Sequence, residues 1–249
     1  MNELGTLSWG RQRGGRLTLP ERIGFLTSAV GARLRAGALK RSRPRTGQGH
    51  RRLDLEALRL PDTKLVGRAL EICEQAYAPW LLNHCLRTWL WAGLVAQAEG
   101  LAVDGEALVV ASLLHDLGLT SAADRPGCDC FAIRGALLAE QILADLGHPE
   151  LAVSAAESIA LHLNVRVPRT SSPLSYLLHQ GASIDVIGLG AGKVGPQRDA
   201  VLARHPRLGL KNRLATAIAA DVRDHPGSRM ALMARLGFVD LVRRAPWAE

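Results

Sequence analysis

The sequence predicts an all-α protein, a multi-helix bundle, and three observations carry that expectation. Ala and Leu dominate an apolar fraction of 47% while aromatics stand at 4%, a balance that favours helices because Ala and Leu lose little rotamer freedom there. Helix start and stop signals recur from Leu60 onward. No stretch alternates apolar and polar residues for more than a few positions, as a half-buried strand would require. At 249 residues the chain is long enough for one sizeable core.

Residues 1–52 carry twelve basic side chains against Glu3 and Glu21, whereas the remainder holds nineteen basic and twenty-one acidic ones. The formal charge of +8 therefore belongs to a basic N-terminal extension, expected to be partly flexible, ahead of a helical domain over 53–249. Residues 1–18 and 41–52 ("RSRPRTGQGHRR") are rich in Gly and Arg without apolar periodicity and read as mobile or loosely docked. Between them, "LPERIGFLTSAVGARLRAGALK" (19–40) suits one basic amphipathic helix, packed on the domain with a solvated Arg face. The competing reading, contact with nucleic acid or an anionic surface through this arm, is disfavoured because such a footprint normally lies on the folded body.

Asp62 or Thr63 can cap a helix running to about Gln75. Pro79 opens a second, about 80–97, with Gly100 beyond its end. Asp104 caps a third that reaches "LLHDLG", where Gly118 takes the C′ position. Further helices are expected at about 131–146, 150–163, 173–188 (Ser172 as cap, Pro173 in the first turn), 210–224 and 228–236. No apolar run approaches a membrane span and no secretory signal opens the chain, so a cytoplasmic location is expected. Cys73, Cys85, Cys128 and Cys130 show no CxxC pairing, which suits a reduced compartment, with "CDC" at 128–130 an ordinary loop.

The chemistry concentrates on polar residues in apolar helices. "ASLLHDLGLT" (111–120) sets His115 and Asp116 where leucine would pack better, and such groups need partners once buried. His84 stands in "PWLLNHCLRTWLWAGLVAQ", apolar nearly all round, and Asp185 in "LLHQGASIDVIG". Each alone is a satisfied core residue. Two antiparallel helices separated by the loop containing Gly100 and Gly105 can bring the two imidazoles together, and two imidazoles with two carboxylates suit a divalent Fe, Mn, Ni or Zn ion with positions left for water and substrate.

His, then His-Asp, then Asp on successive helices resembles the HD-domain superfamily of metal-dependent hydrolases. The likeness spans about residues 60–225 and rests on "NHCLRTW", "LLHDLGLT", "FAIRGA", "ESIALH" and "GASIDVIG" in that order. It implies an HD-type helical bundle with His84, His115, Asp116 and Asp185 as metal ligands. More narrowly the chain is similar to the cyanamide-hydratase-like branch, which often carries an acidic residue where this chain has Ala132. The implied activity is attack of metal-activated water on a small phosphoester, or alternatively hydration of a nitrile; a catalytically silent fold binding a nucleotide or protein partner is the remaining reading. Asp116 is expected to bind metal through one oxygen and take a proton with the other. The resemblance also implies His162, in "SIALHLN", as a second-metal ligand or acid–base group. Arg87 and Asn83, beside His84, are candidates to orient a substrate oxyanion, Arg87 as a catalytic residue, the alternative being a place at the rim of a helix pair. His179, about 240° round the helix from Asp185, is expected to face away from the site.

"GAGKVG" (190–195) matches GxGxxG, but no strand precedes it and Val194 stands where a P-loop needs Ser or Thr. It reads as a flexible loop able to close over substrate, with Lys193 as a substrate-binding charge. The expected partner is a small-molecule substrate, and a homo-oligomer is compatible with the sequence.

Overall fold

The structure, a computed structural model, describes residues 3–28, 31, 53–123 and 127–249. The described residues form α-helices joined by loops and 3-10 turns, with no strand; one isolated bridge pairs Arg16 with Ser228. None of these helices is long and apolar enough to cross a membrane.

Two short helices come first. α1 (Leu7–Arg13) is capped by Thr6 and closed by Gly14 in the left-handed conformation, and α2 is described over 19–28. α3 (Lys64–Ala76) starts on the Thr63 hydroxyl, and α4 (Pro79–Glu99) opens on Pro79 and closes on left-handed Gly100. α5 (Gly105–Leu114) is capped by Asp104, α6 spans Phe131–Asp145, α7 Pro149–Leu161, and α8 (Pro173–Ile187) begins on the Ser172 cap. The chain continues through α9 (Arg198–Arg204), α10 (Leu210–Asp224), α11 (Arg229–Arg235) and α12 (Phe238–Arg243). α1, α9 and α12 have six or seven residues each and were not anticipated, because a helix of two turns leaves almost no periodic signal.

α4 is the centre of the bundle. From His84 to Ala96 every residue of it is buried, with α5 and α8 packed along it and α6 paired with α7. Gly181 sets the approach of α8 to α4, since a Cβ there would lie 2.2 Å from the Thr88 carbonyl oxygen. Gly118 acts in the same way rather than as a helix-ending C′ residue: its φ is not positive, α5 already ends at Leu114, and a Cβ would lie 1.8 Å from the Phe131 carbonyl oxygen. The α6 backbone thus passes directly over the turn that follows His115 and Asp116.

The N-terminal residues correct the expectation of a loosely docked segment at 1–18. Leu7, Trp9, Leu17 and Phe25 are buried, α1 packs on α6 and α7, and the Leu7 amide donates to Glu157 at 2.7 Å. Arg16 binds Asp129 at 2.7 Å, so part of the basic excess is engaged by the folded body. Most of 29–52 lies outside the described residues, and with it the rest of the expected amphipathic helix. Residues 191–197 form two consecutive 3-10 turns where an open loop was anticipated.

Candidate metal centre

His115 and His162 occupy the same kind of position. Each is the C-cap residue of its helix, α5 and α7, where the last carbonyls lack intrahelical partners. Each turns Nδ1 back onto the carbonyl three residues earlier, His115 on Ser112 at 2.7 Å and His162 on Ile159 at 2.6 Å. A carbonyl oxygen only accepts, so both Nδ1 atoms carry the proton and both neutral rings present a lone pair at Nε2. The next carbonyl of α5, on Leu113, accepts from Tyr77 Oη at 2.9 Å and Cys73 Sγ at 3.3 Å, fixing the strand of backbone that leads into His115. His84, within α4, is oriented by a carboxylate instead: its Nδ1 donates to Asp185 Oδ2 at 2.8 Å, leaving Nε2 free.

These Nε2 atoms converge on Asp116. His84 Nε2 and His115 Nε2 lie 3.2 Å apart, each is 3.4 Å from Asp116 Oδ2, and His162 Nε2 is 3.8 Å from Asp116 Oδ1. Two ring nitrogens facing each other across 3.2 Å repel unless a proton or a metal ion lies between them. The triangle has the right size for one: a tetrahedral site with bonds of about 2.0–2.1 Å has donor–donor edges of about 3.3–3.4 Å. His84, His115 and Asp116 are buried, and their ligand atoms lie within 4.8 Å of one another.

Electrostatics agree with the geometry. Burial would push the Asp116 carboxyl up, but His115, His84 and His162 hold it well below the usual carboxylate range. Burial lowers His115, and burial with His115 alongside takes His162 down to about 3, so both rings are neutral near pH 7. His84 moves the other way: burial disfavours its charge, yet hydrogen bonds to Asp116 and Asp185 raise it. His115, His162 and the ionised Asp116 thus stand in the protonation states a metal ion requires, whereas His84 favours its proton without metal, so an ion bound there would displace that proton and bind more tightly as pH rises.

Asp185 departs from its expected role as a ligand. Its Oδ1 accepts from Arg87 Nε at 2.7 Å and Trp91 Nε1 at 3.0 Å, and its Oδ2 from Arg87 at 2.9 Å and His84. With these donors engaging both oxygens, Asp185 sits behind His84 and fixes its ring, the arrangement that sets tautomer and basicity in metal-bound histidines. Sequence spacing places the carboxylate near the cluster but cannot say which side of His84 it occupies.

The candidate substrate residues also lie elsewhere. Arg87 is fully buried behind Asp185 and donates onward to the His205 and Pro206 carbonyls at 2.9 and 3.0 Å, so it supports the centre without facing the cavity. Asn83 donates to Pro206 at 2.8 Å. Lys193 is held by Glu99 at 2.8 Å and Gln180 at 3.0 Å. Neither Asn83, Arg87 nor Lys193 lines the cavity on which the cluster opens, a space of about 780 Å³. His179 does line it, with Nδ1 on the His162 carbonyl at 2.9 Å. It does face away from Asp185, but Asp185 faces α4, so the opposite side of α8 is the one that meets the cavity. No sequence signal located it, because the side of α8 that meets the cavity is set by how α8 packs on α4.

Neither a family model nor a curated protein matches the chain. The site's interpretation therefore rests on its own geometry and on the motif resemblance.

Proposed function

We propose that the chain is a metal-dependent hydrolase of the HD type, in which water activated at the His84, His115 and Asp116 cluster attacks a small electrophile, a phosphoester or, alternatively, a nitrile. The observation that carries this reading is the convergence of the His84 and His115 Nε2 atoms on one ionised, buried carboxylate. Buried acceptors gathered at this density are costly in an apolar core, and a cation among them would offset that cost. A bound Fe, Mn, Ni or Zn ion would lower the pKa of its water towards about 7 and polarise the electrophile.

The chain's own residues supply the remainder. His84, His115 and Asp116 would hold the ion, and Asp185, with Arg87 and Trp91, keeps the His84 ring turned so that Nε2 points inward. Asp116 presents Oδ2 to the two histidines and Oδ1 towards His162, so Oδ1 is placed to accept a proton from water and His162 to receive it. The cavity walls restrict bulk water around the reacting group.

The test is metal content per chain, measured on protein purified without chelator, for wild type beside a His115→Ala, Asp116→Ala double variant. About one or two equivalents in wild type, lost in a variant that remains folded, support the reading when joined by turnover of a phosphoester or of cyanamide. Protein that is empty and cannot be loaded with Mn, Fe, Ni or Zn removes it and leaves the silent, ligand-binding alternative.

A further inference from the structure

The cavity in front of the cluster is far larger than a molecule the size of cyanamide requires, and most of its surface is hydrocarbon. Phe25, Leu214, Ile218, Met230, Met233 and Phe238 form walls around the polar end where His84, His115, Asp116, His162 and His179 sit. Its volume of about 780 Å³ lies within the range that encloses a ligand of ordinary small-molecule size. Four elements from different parts of the chain, α2, α10, α11 and α12, supply these walls, so the space is a built enclosure with its metal-binding groups at one end.

Most cationic side chains near it, among the described residues, are turned away. The Arg229 side chain, next to Met230, turns to the Ala160 carbonyl at 2.9 Å and to Asn164, beneath the Trp9 ring. Arg134 is held by Asp221 at 2.6 Å, Arg87 by Asp185, and Lys193 by Glu99. Among the described residues the Lys or Arg that lines the cavity is Arg244, and it is exposed to solvent. Among the described residues a dianionic phosphate brought to the cluster would find no guanidinium or ammonium beside it; a divalent ion held by Asp116 would balance one of its two charges and leave the other uncompensated among apolar walls, which is costly.

We infer that the substrate of this site is an apolar-bodied small molecule whose reacting head carries at most one negative charge, the body filling the space between α10 and α12 and the head lying at the histidine cluster. This deepens the metal-dependent reading and rests on it for the head, whereas the body's binding depends on the cavity walls alone. Simple phosphomonoesters such as p-nitrophenyl phosphate are poor substrates on this view, and reactivity grows with the size of the apolar group.

Two matched ligand series test it by calorimetry. On Mn- or Zn-loaded protein, n-alkyl hydroxamates from two to eight carbons should tighten about fourfold per added methylene, the factor expected for burying one such group. n-Alkylphosphonates of the same lengths, compared at a pH above their second ionisation so that the head is dianionic, should bind more weakly at each length. Affinity that stays flat with chain length, or phosphonates that bind better than hydroxamates, overturns the inference. Separately, n-alkanols titrated into chelator-treated protein should show the same dependence on length. If they do while hydroxamates gain nothing from metal, the apolar cavity stands and the metalloenzyme reading fails; if neither series depends on length, the cavity inference fails whatever the metal does. Met233→Trp, at a half-buried wall position, should cap the useful chain length, and octanol should compete with octanohydroxamate in wild type if both occupy this space. Absence of competition also counts against the inference.

Discussion

Asp185→Asn separates two roles that a carboxylate can play near a metal. Asp185 is fully buried, accepts from Nε and Nη2 along one edge of the Arg87 guanidinium and accepts the His84 Nδ1 proton. Removing one charge of a buried pair costs about 3–5 kcal/mol, because the other is left uncompensated. Both side chains are shielded from solvent, so no screening reduces that figure. The amide retains an acceptor for Arg87 or Trp91, which places the expected loss of stability at the lower end, about 3 kcal/mol. Metal affinity should drop by only about 10–100-fold, the usual effect of losing the group that orients a ligand histidine. The assays are chemical denaturation of the metal-free protein and a chelator competition for the loaded one, with His115→Ala as the comparison for loss of a ligand. If folded Asp185→Asn loses metal as completely as His115→Ala, Asp185 is itself a ligand, and the orienting role argued from its hydrogen bonds is refuted.

Other consequences are equally open to measurement. His162 is buried neutral with a pKa of about 3, below its unfolded value near 6.5, so the stability tied to its neutral form is complete above about pH 6.5 and falls as the pH drops towards 3, by about 1.4 kcal/mol per unit; denaturation of metal-free wild type and His162→Gln across pH 4–7 should show a shallower slope in the variant. Gly118→Ala places a methyl 1.8 Å from the Phe131 carbonyl oxygen and should cost more than about 3 kcal/mol or prevent folding, read as soluble yield and melting temperature. Lys193→Ala breaks a partly exposed pair with Glu99, so stability should change by less than about 1 kcal/mol and turnover by less than twofold; a large loss of kcat/KM would return Lys193 to the substrate site.

The helical fold was readable because its boundaries carry local chemistry. Thr63, Pro79, Gly100, Asp104 and Ser172 act at the helix ends where their residue types place them, and the long helices follow to within a few residues. His84, His115 and Asp116 were readable for a different reason: polar groups in apolar runs demand partners, and the structure brings these three together. What periodicity could not provide was direction. Asp185 and His179 lie on different faces of α8, and which face meets the cavity depends on how α8 packs against α4, where Gly181 makes its close contact, something no helical wheel contains. Arg87 and Lys193 were misplaced because a cation near a site in sequence can be satisfied in any direction its long side chain reaches, here by Asp185 and Glu99. Docking of the N-terminal residues was hidden by their Gly and Arg content, in which isolated Leu7, Trp9 and Phe25 give no pattern.

The support behind His84 extends far along the chain. Arg207 donates to the Asp185 carbonyl at 3.0 Å, Glu249 binds Arg207 at 3.0 Å, and the Trp247 indole stacks on Trp91 at 5.7 Å while donating to Ile184. During synthesis, then, the three candidate ligand side chains leave the ribosome well before the residues that brace them. A nascent chain ending after α8 would already contain the candidate ligands but would hold Asp185 without Arg207, and Trp91 without its stacking partner. If the cluster holds a metal ion as proposed, tight capture would be a late event in the life of each molecule, and a released chain truncated at about residue 190 should bind metal more weakly than one extended through residue 249.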